Sequence, residues 1–228
     1  MRDDDRSPFG VRHRTAREAV VASQRGRVLE AMVKTVAEKG FAATAIADVV
    51  ARAAVSRRTF YEQFRDKEEC FLAAFETGLR FLFSRVQEES AELEPGDWRG
   101  RLRVMLETYL ATLASEPEFA RVAHLDALAA GERASARWAE LLRRLVGFFR
   151  SLHEMARAED PAIPAVGDEA LLVLLGGILE VVREYLRTGR IAELPAVAPQ
   201  LTELAVAIVS GAGQGTPAAK RVSGTRRH

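Results

Sequence analysis

One cysteine, Cys70, stands among the 228 residues, so the chain has no internal disulfide framework and no cysteine-rich zinc site. That usage fits a reducing cytosol. Tyrosine and tryptophan are few, at three and two against eleven phenylalanines, and there are only eight prolines. Ala, Leu, Val, Glu and Arg dominate instead, which favours an all-helical protein over a sheet. The longest charge-free apolar run, Ala170 to Leu179, is half of the roughly 20 residues that span a bilayer. No apolar run follows the mixed charges Arg2, Asp3, Asp4, Asp5 and Arg6, so no signal peptide is expected. A cytoplasmic protein with no membrane partner is the expectation. Histidines occur only at 13, 124, 153 and 228, without metal-ligand spacing and far in sequence from any candidate nucleophile such as Ser56. With no Gly-rich phosphate loop and no nucleophile elbow, no catalytic residue, metal or cofactor is expected.

A net charge of +1 conceals an uneven distribution. Residues 1–67 hold 14 Lys/Arg against 9 Asp/Glu, a balance of +5. Residues 68–210 hold 15 against 23, or −8, and the tail from Gly211 holds 4 against none. A basic N-terminal third on an acidic body suits a protein that meets a polyanion at one end.

Helical periodicity starts early. Thr15 is a candidate cap for a short turn through Val21. From Ser23 to Lys39, Val28, Leu29, Met32, Val33, Val36 and Ala37 form one stripe, opposite Arg25, Arg27, Glu30, Lys34 and Glu38. Gly40 then sits where a left-handed cap ends a helix. Thr44 reads as the N-cap of a two-turn helix carrying Ile46, Val49 and Val50. Ser56 caps a third helix running to about Gln63. Asp66 caps a fourth, about 67–89, with Glu69 placed for a capping box. After the break "ELEPGDWRG", helices are expected near 98–115, 117–129, 132–157, 168–188 and 197–210, separated by Pro- and Gly-containing breaks.

The second and third helices, joined by a tight turn, meet the requirements of a helix-turn-helix. Such a helix enters the major groove by its N-terminal end. Arg57 and Arg58 project from that end, and an arginine bridging guanine O6 and N7 contributes about 1–3 kcal/mol of base discrimination. Thr59 suits a phosphate or a thymine methyl, Tyr61 a phosphate oxygen, and Ser56 belongs to the same tip. Lys67, a cation at a helix N-terminus, suits an external phosphate. Phe60 and Phe64 turn inward. For each polar residue the plain alternative is a solvated or helix-capping side chain.

Over Ser23 to about Phe75 the sequence resembles the tetracycline-repressor (TetR) family of bacterial transcription regulators, above all in "TFYEQFRDKEE", Thr59 to Glu69. The resemblance implies a phosphate contact at Thr44, groove contacts at Arg57, Arg58 and Thr59, phosphate contacts at Tyr61 and Lys67, and Gln63 near either. Three positions depart from the family pattern: Ala54 where glycine is common in the turn, Val50 where a small alanine usually packs, and Cys70 for an aliphatic residue. A left-handed Ala54 would cost about 1 kcal/mol.

The resemblance also implies an all-α chain with an N-terminal three-helix DNA-binding domain and a C-terminal bundle for ligand binding and dimerisation. The expected division is a mobile arm over 1–22, the helix-turn-helix domain over 23–66, the bundle over 67–210 and a disordered basic tail over 211–228. "ALLVLLGGILEVVREYL" is apolar nearly all round and needs cover on more than one face. Leu171, Leu174, Leu175, Ile178 and Val182, with Leu201, Leu204 and Ile208, are the expected dimer interface; the alternative is a large monomeric core. Met105, Tyr109, His124, Trp138, Leu142, Phe149 and Glu180 are candidate pocket residues, each otherwise ordinary core. The expected function is a homodimeric regulator whose partners are a palindromic double-stranded operator and an unknown small-molecule effector. Repression released by that effector is the first reading, with activation or a helical module without DNA binding as alternatives.

Overall fold

The computed structural model describes residues 16–127 and 130–211; the expected cap at Thr15, the first part of the arm and nearly all of the basic tail lie outside them. Nine helices carry these residues: α1 (Ala16–Ala43), α2 (Ile46–Ala53), α3 (Arg57–Tyr61), α4 (Lys67–Glu89), α5 (Trp98–Ser115), α6 (Pro117–Arg121), α7 (Glu132–Glu159), α8 (Asp168–Arg187) and α9 (Ala198–Val209). A π turn, Val122–Asp126, extends α6, and a 3-10 segment, Ile191–Val197, precedes α9. No strand occurs among the described residues.

Residues 16–22, read from the sequence as part of an arm, form the first two turns of α1. The helix holds to Gly40, whose φ of 78° and ψ of 158° break it and send the chain towards α2. Its apolar stripe is fully used: Val28, Met32 and Val36 are buried with Val49 of α2, Phe60 and Phe64 around α3, and Phe71 and Phe75 of α4. The opposite face is less free than its charges suggest. Arg25 donates to the Gln63 carbonyl at 3.4 Å and stacks on Phe64, while Arg27 donates to the Ala53 carbonyl at 3.1 Å. These two cations therefore close the C-terminal ends of α3 and α2, where unpaired carbonyls favour positive charge.

Capping at α2 differs from expectation. Ala45 holds the N-cap position, and its amide donates to Asp48 Oδ2 at 2.9 Å. Thr44 lies one residue too early to cap; it is buried and donates its hydroxyl to the Gly40 carbonyl at 2.9 Å. At α4, Asp66 Oδ1 accepts the Glu69 amide at 2.7 Å as expected, but Glu69 reaches back to the Arg65 amide, not that of Asp66. Between α2 and α3, Ala54 adopts φ 52° and ψ 48°, the one left-handed non-glycine among the described residues.

The helix-turn-helix core runs without interruption into the body, through Phe75 and Trp138 to α5, α7 and α8. Here the expected interface must be redrawn. Leu171, Leu174, Leu175, Ile178 and Val182 are all buried within the chain's own core. The outer stripe of α8 instead carries Leu172, Val173, Gly176 and Gly177, and the two glycines face open space. Leu204 of α9 is 54% exposed, whereas Leu201 and Ile208 are half-buried. Ile191–Val209 is long and apolar enough by composition to cross a membrane, but Pro195 interrupts it and Leu194, Ala198, Ala205 and Val209 anchor it to the core.

Two backbone positions give opposite expectations. Ala54→Gly should be neutral or stabilise by up to about 1 kcal/mol, because relief of a left-handed alanine outweighs the entropy of glycine. Gly40→Ala should destabilise by about 1–3 kcal/mol, since its φ and ψ are reached almost only by glycine. Urea unfolding of both variants measures this, and effects of the same sign would place the strain elsewhere.

Candidate nucleic-acid interface and ligand cavity

Helix α3 presents its N-terminal tip outward. Ser56 Oγ accepts the Thr59 amide at 3.0 Å and lies 2.9 Å from Thr59 Oγ1. One hydroxyl proton of that pair closes the contact and the other remains for an outside acceptor. Arg57 is exposed and has no ion pair among the described residues. Arg58 is 89% exposed along its side chain and meets only Glu62, one helical turn on, at 2.9 Å. Tyr61 is 57% exposed and packs edge-on against Phe60, which is fully buried. The helix is thus held by Phe60 and Phe64 while its tip stays free.

Three of the sequence-derived contacts are placed differently. Thr44 is only 2% exposed, with its hydroxyl directed at Gly40. Lys67 Nζ donates to the Phe41 carbonyl at 2.8 Å and the Thr44 carbonyl at 2.9 Å, and lies 4.3 Å from the centre of the Phe41 ring. Its charge is used to tie α4 to the α1–α2 corner, with two of its three donors satisfied inside the chain. Gln63 turns inward, its amide oxygen buried without a partner. The outward set is Ser56, Arg57, Arg58 and Tyr61, with Thr59 half-buried beside them.

Within the body, α4, α5, α6, α7 and α8 enclose a cavity of about 160 Å³. Met105, Tyr109, His124, Trp138 and Phe149, all named from the sequence, line it. Leu142 does not; its neighbour Leu141 does. Glu180 lies on the outer face of α8, paired with Arg183 and Arg187. Sequence reasoning missed Phe119, Phe83 and Arg144 in the walls. A Cβ at Gly78 would lie 2.1 Å from the Phe119 ring, so this glycine is the notch that admits α6 against α4. The i, i+4 spacing of Phe71, Phe75 and Leu79 towards the core was a signal that α4 forms a wall.

The polar pair Tyr109 and His124 in its walls is self-contained. Tyr109 Oη and His124 Nε2 are 2.7 Å apart, and His124 Nδ1 lies 2.9 Å from the Ala120 carbonyl. Burial holds the imidazole well below its ordinary value, at about 4, and pushes the Tyr109 hydroxyl up. His124 is therefore neutral at pH 7; its Nδ1–H donates to Ala120, and Nε2 accepts the Tyr109 proton. Two residues on, Asp126 lies against Gly40 at the α1–α2 corner, its carboxyl pushed up by burial. Arg133, at the start of α7, joins Asp66 and Glu68 at 2.8 Å each. Cys70 is fully buried, and burial pushes its thiol up, which makes it unreactive packing. Among the described residues no three of His, Cys, Asp and Glu converge as a metal site.

The histidine implies a pH dependence. Between about pH 6.5 and pH 4 the unfolded chain binds a proton at residue 124 that the folded chain refuses, so stability falls as pH drops through that window. A shift of this size corresponds to roughly 3 kcal/mol. Denaturant unfolding of wild type and His124→Gln at pH 7 and pH 4.5 should show the smaller loss in the variant; equal losses would mean that His124 does not titrate as described.

The family model for "Bacterial regulatory proteins, tetR family" matches residues 28–74, which span α1 to the first turns of α4. No curated protein matches the sequence significantly. Solved structures match the whole fold. The transcriptional regulator FadR from Bacillus subtilis, solved in complex with stearoyl-CoA, is 20% identical with a TM-score of 0.70 and covers 81% of this chain and 97% of its own. The fatty acid degradation regulator FadR from Bacillus halodurans is 18% identical with a TM-score of 0.72, covering 86% and 97%. A TetR-like transcriptional regulator from Rhodococcus sp. RHA1 is 22% identical with a TM-score of 0.66, covering 82% and 96%. At these identities the likeness speaks for the fold, and the family match speaks for the N-terminal segment. Residues 28–74 therefore form a helix-turn-helix segment of the tetR-family type, carried on the all-helical fold seen in solved TetR-like transcriptional regulators.

Proposed function

We propose that this protein is a homodimeric transcription repressor whose grip on a palindromic operator is released by a small molecule held in the α4–α8 cavity. The observation that carries this reading is the unengaged tip of α3. Arginines 57 and 58 stand outward beside Ser56 and Tyr61, while Phe60 of the same helix is fully buried. In the major groove those arginines would read base edges, and the Ser56–Thr59 pair and Tyr61 would hold phosphates. Thr44 and Lys67 would serve the interface indirectly, by fixing the corner on which α2 and α3 stand.

Two copies are required to read a palindrome, with half-sites about 34–36 Å apart or a multiple of that. The outer stripes of α8 and α9 support such pairing. On α8 Val173 is 71% and Leu172 51% exposed, with two glycines that leave room for a partner helix, and on α9 Leu204 is exposed. Exposed apolar residues gathered on adjoining helices are typical of a surface that is covered in the assembly.

Release by ligand would be a population shift. The cavity touches α4 through Leu79, Leu82 and Phe83, and the α6–π segment through Phe119, Ala123 and His124. Both elements end on the DNA-facing part, α4 at Lys67 and the π turn at Asp126 beside Gly40. A ligand that spreads these walls would favour a dimer whose two α3 tips no longer match successive grooves. The stearoyl-CoA complex of the B. subtilis FadR supports an apolar ligand in a body of this fold.

Two experiments test the reading. Replacing Arg57 and Arg58 together by Ala should leave the melting temperature unchanged and weaken retention of the operator by more than about thirtyfold at fixed salt; unchanged retention would remove α3 from the interface. Val173→Glu should convert the dimer to a monomer in analytical ultracentrifugation and abolish operator binding. A persistent dimer would move the interface away from α8.

A further inference from the structure

The apolar cavity does not end at a closed wall. Leu79, Phe83, Leu141 and Arg144 belong both to it and to an adjoining groove of about 280 Å³ between α4 and α7. The groove is polar: α4 contributes Glu76 and Arg80, α7 contributes Arg137, Glu140 and Arg144, and Arg137 reaches across to Glu76. Three cations against two carboxylates leave one positive charge uncompensated. Arg137 is shared between Glu76 and Glu140, and Arg144 meets Glu140. Arg80 donates only to Thr77 Oγ1, at 2.8 Å, and has no ion pair among the described residues.

We propose that cavity and groove together form one site for an amphipathic anion, with a short acyl tail inside and its anionic head on Arg144, Arg80 and Arg137. This deepens, and rests on, the reading of the cavity as the effector site. Three observations fix the orientation and size. First, the interior offers no hydrogen-bond donor to an anion, because the Tyr109 proton goes to His124 and the His124 proton to Ala120. A buried carboxylate without donors is strongly disfavoured, so the head stays outside. Second, Arg144 stands at the shared mouth with Arg80 and Arg137 in the groove beyond it, so a carboxylate or phosphate there would replace Glu140 against Arg144 in the same charge-assisted geometry. Third, a cavity of about 150 Å³ lined by Leu, Ile and Phe accepts a benzene-sized guest, so the 160 Å³ here takes a tail of about six to eight carbons. A tail of stearoyl length would have to part Phe83, Phe148 and Met105.

The shared chemistry is an acyl chain with an anionic head, and its source is either a free carboxylate or an acyl-CoA thioester whose phosphates reach the outer arginines. Isothermal titration of the full-length protein without DNA, using hexanoate, octanoate, decanoate, palmitate, octan-1-ol and octanoyl-CoA below their micellar concentrations, separates these. Affinity should rise about fourfold per methylene up to roughly eight carbons and then level off. Octan-1-ol should bind at least tenfold more weakly than octanoate, and Arg144→Gln should bring octanoate down to the octanol level. Octanoyl-CoA tighter than octanoate, with the difference lost in Arg80→Gln, assigns the thioester; equal or weaker binding assigns the free acid. Octanol matching octanoate, with no effect of Arg144→Gln, would overturn the anionic site while leaving an apolar effector cavity in place. Palmitate binding more tightly than octanoate would overturn the tail length. If no probe binds, both the site and the effector cavity fall, and operator retention measured on the same protein still judges the DNA-binding reading separately.

Discussion

Lys67 holds the architecture at its narrowest point. Its ammonium group reaches 26 and 23 residues back to the carbonyls of Phe41 and Thr44 and lies on the Phe41 ring. Those carbonyls are turned inward only because Gly40 breaks α1 and the Thr44 hydroxyl ties the corner back to the Gly40 carbonyl. The Phe41 carbonyl also accepts the Thr44 amide at 3.2 Å, so the ammonium closes a corner already begun by the backbone, and hydrogen bonds from a charged donor are among the stronger single contacts in a folded chain. Through this one side chain the end of α1, the start of α2 and the start of α4 share a fixed geometry. The exposed tip of α3 inherits its orientation from that junction.

The junction matters because the two halves of the chain do not have separate cores. Buried side chains run from Val28 and Phe60 through Phe75 and Trp138 to Leu175, and close-packed interiors transmit displacement without absorbing it. Arg133 adds a polar strut between α7 and the first turn of α4. The cavity lies within this continuous packing and borders both routes to the α1–α2 corner: α4 itself, and the π turn that faces the cavity with His124 and Gly40 with Asp126. A widened helical turn at that spot is a common mark of a functional site.

Much of this could be read from the sequence wherever the controlling contact is local. Ser56 and Asp66 cap the helices they precede, because a cap binds an amide three residues on. Gly40 has the positive φ expected of it, although its ψ of 158° lies outside the left-handed cap region, and Ala54 takes the left-handed turn whose cost the sequence implies. The reading failed where partners come from afar. Nothing near Lys67 in sequence says that two carbonyls over 20 residues away will take its charge, and Thr44 was assigned to a cap lying one residue later. Helix α8 failed for a different reason. A helix apolar nearly all round has no polar face to set its phase, so the buried stripe of Leu171, Leu175 and Val182 could not be told from the exposed Leu172 and Val173. The same phase error, one residue wide, separates Leu142 from Leu141 at the cavity. The segment "TGRIAELP" read as a simple break because Pro195 hides the 3-10 turn around it.

The missing side chain at residue 78 has a mechanical meaning. With the Phe119 ring seated where a β-carbon would be, α4 cannot slide lengthwise past α6 without forcing an aromatic ring out of its socket. A helix pinned at this point near its middle would answer a sideways push on one half by turning its other half the opposite way, as a seesaw does.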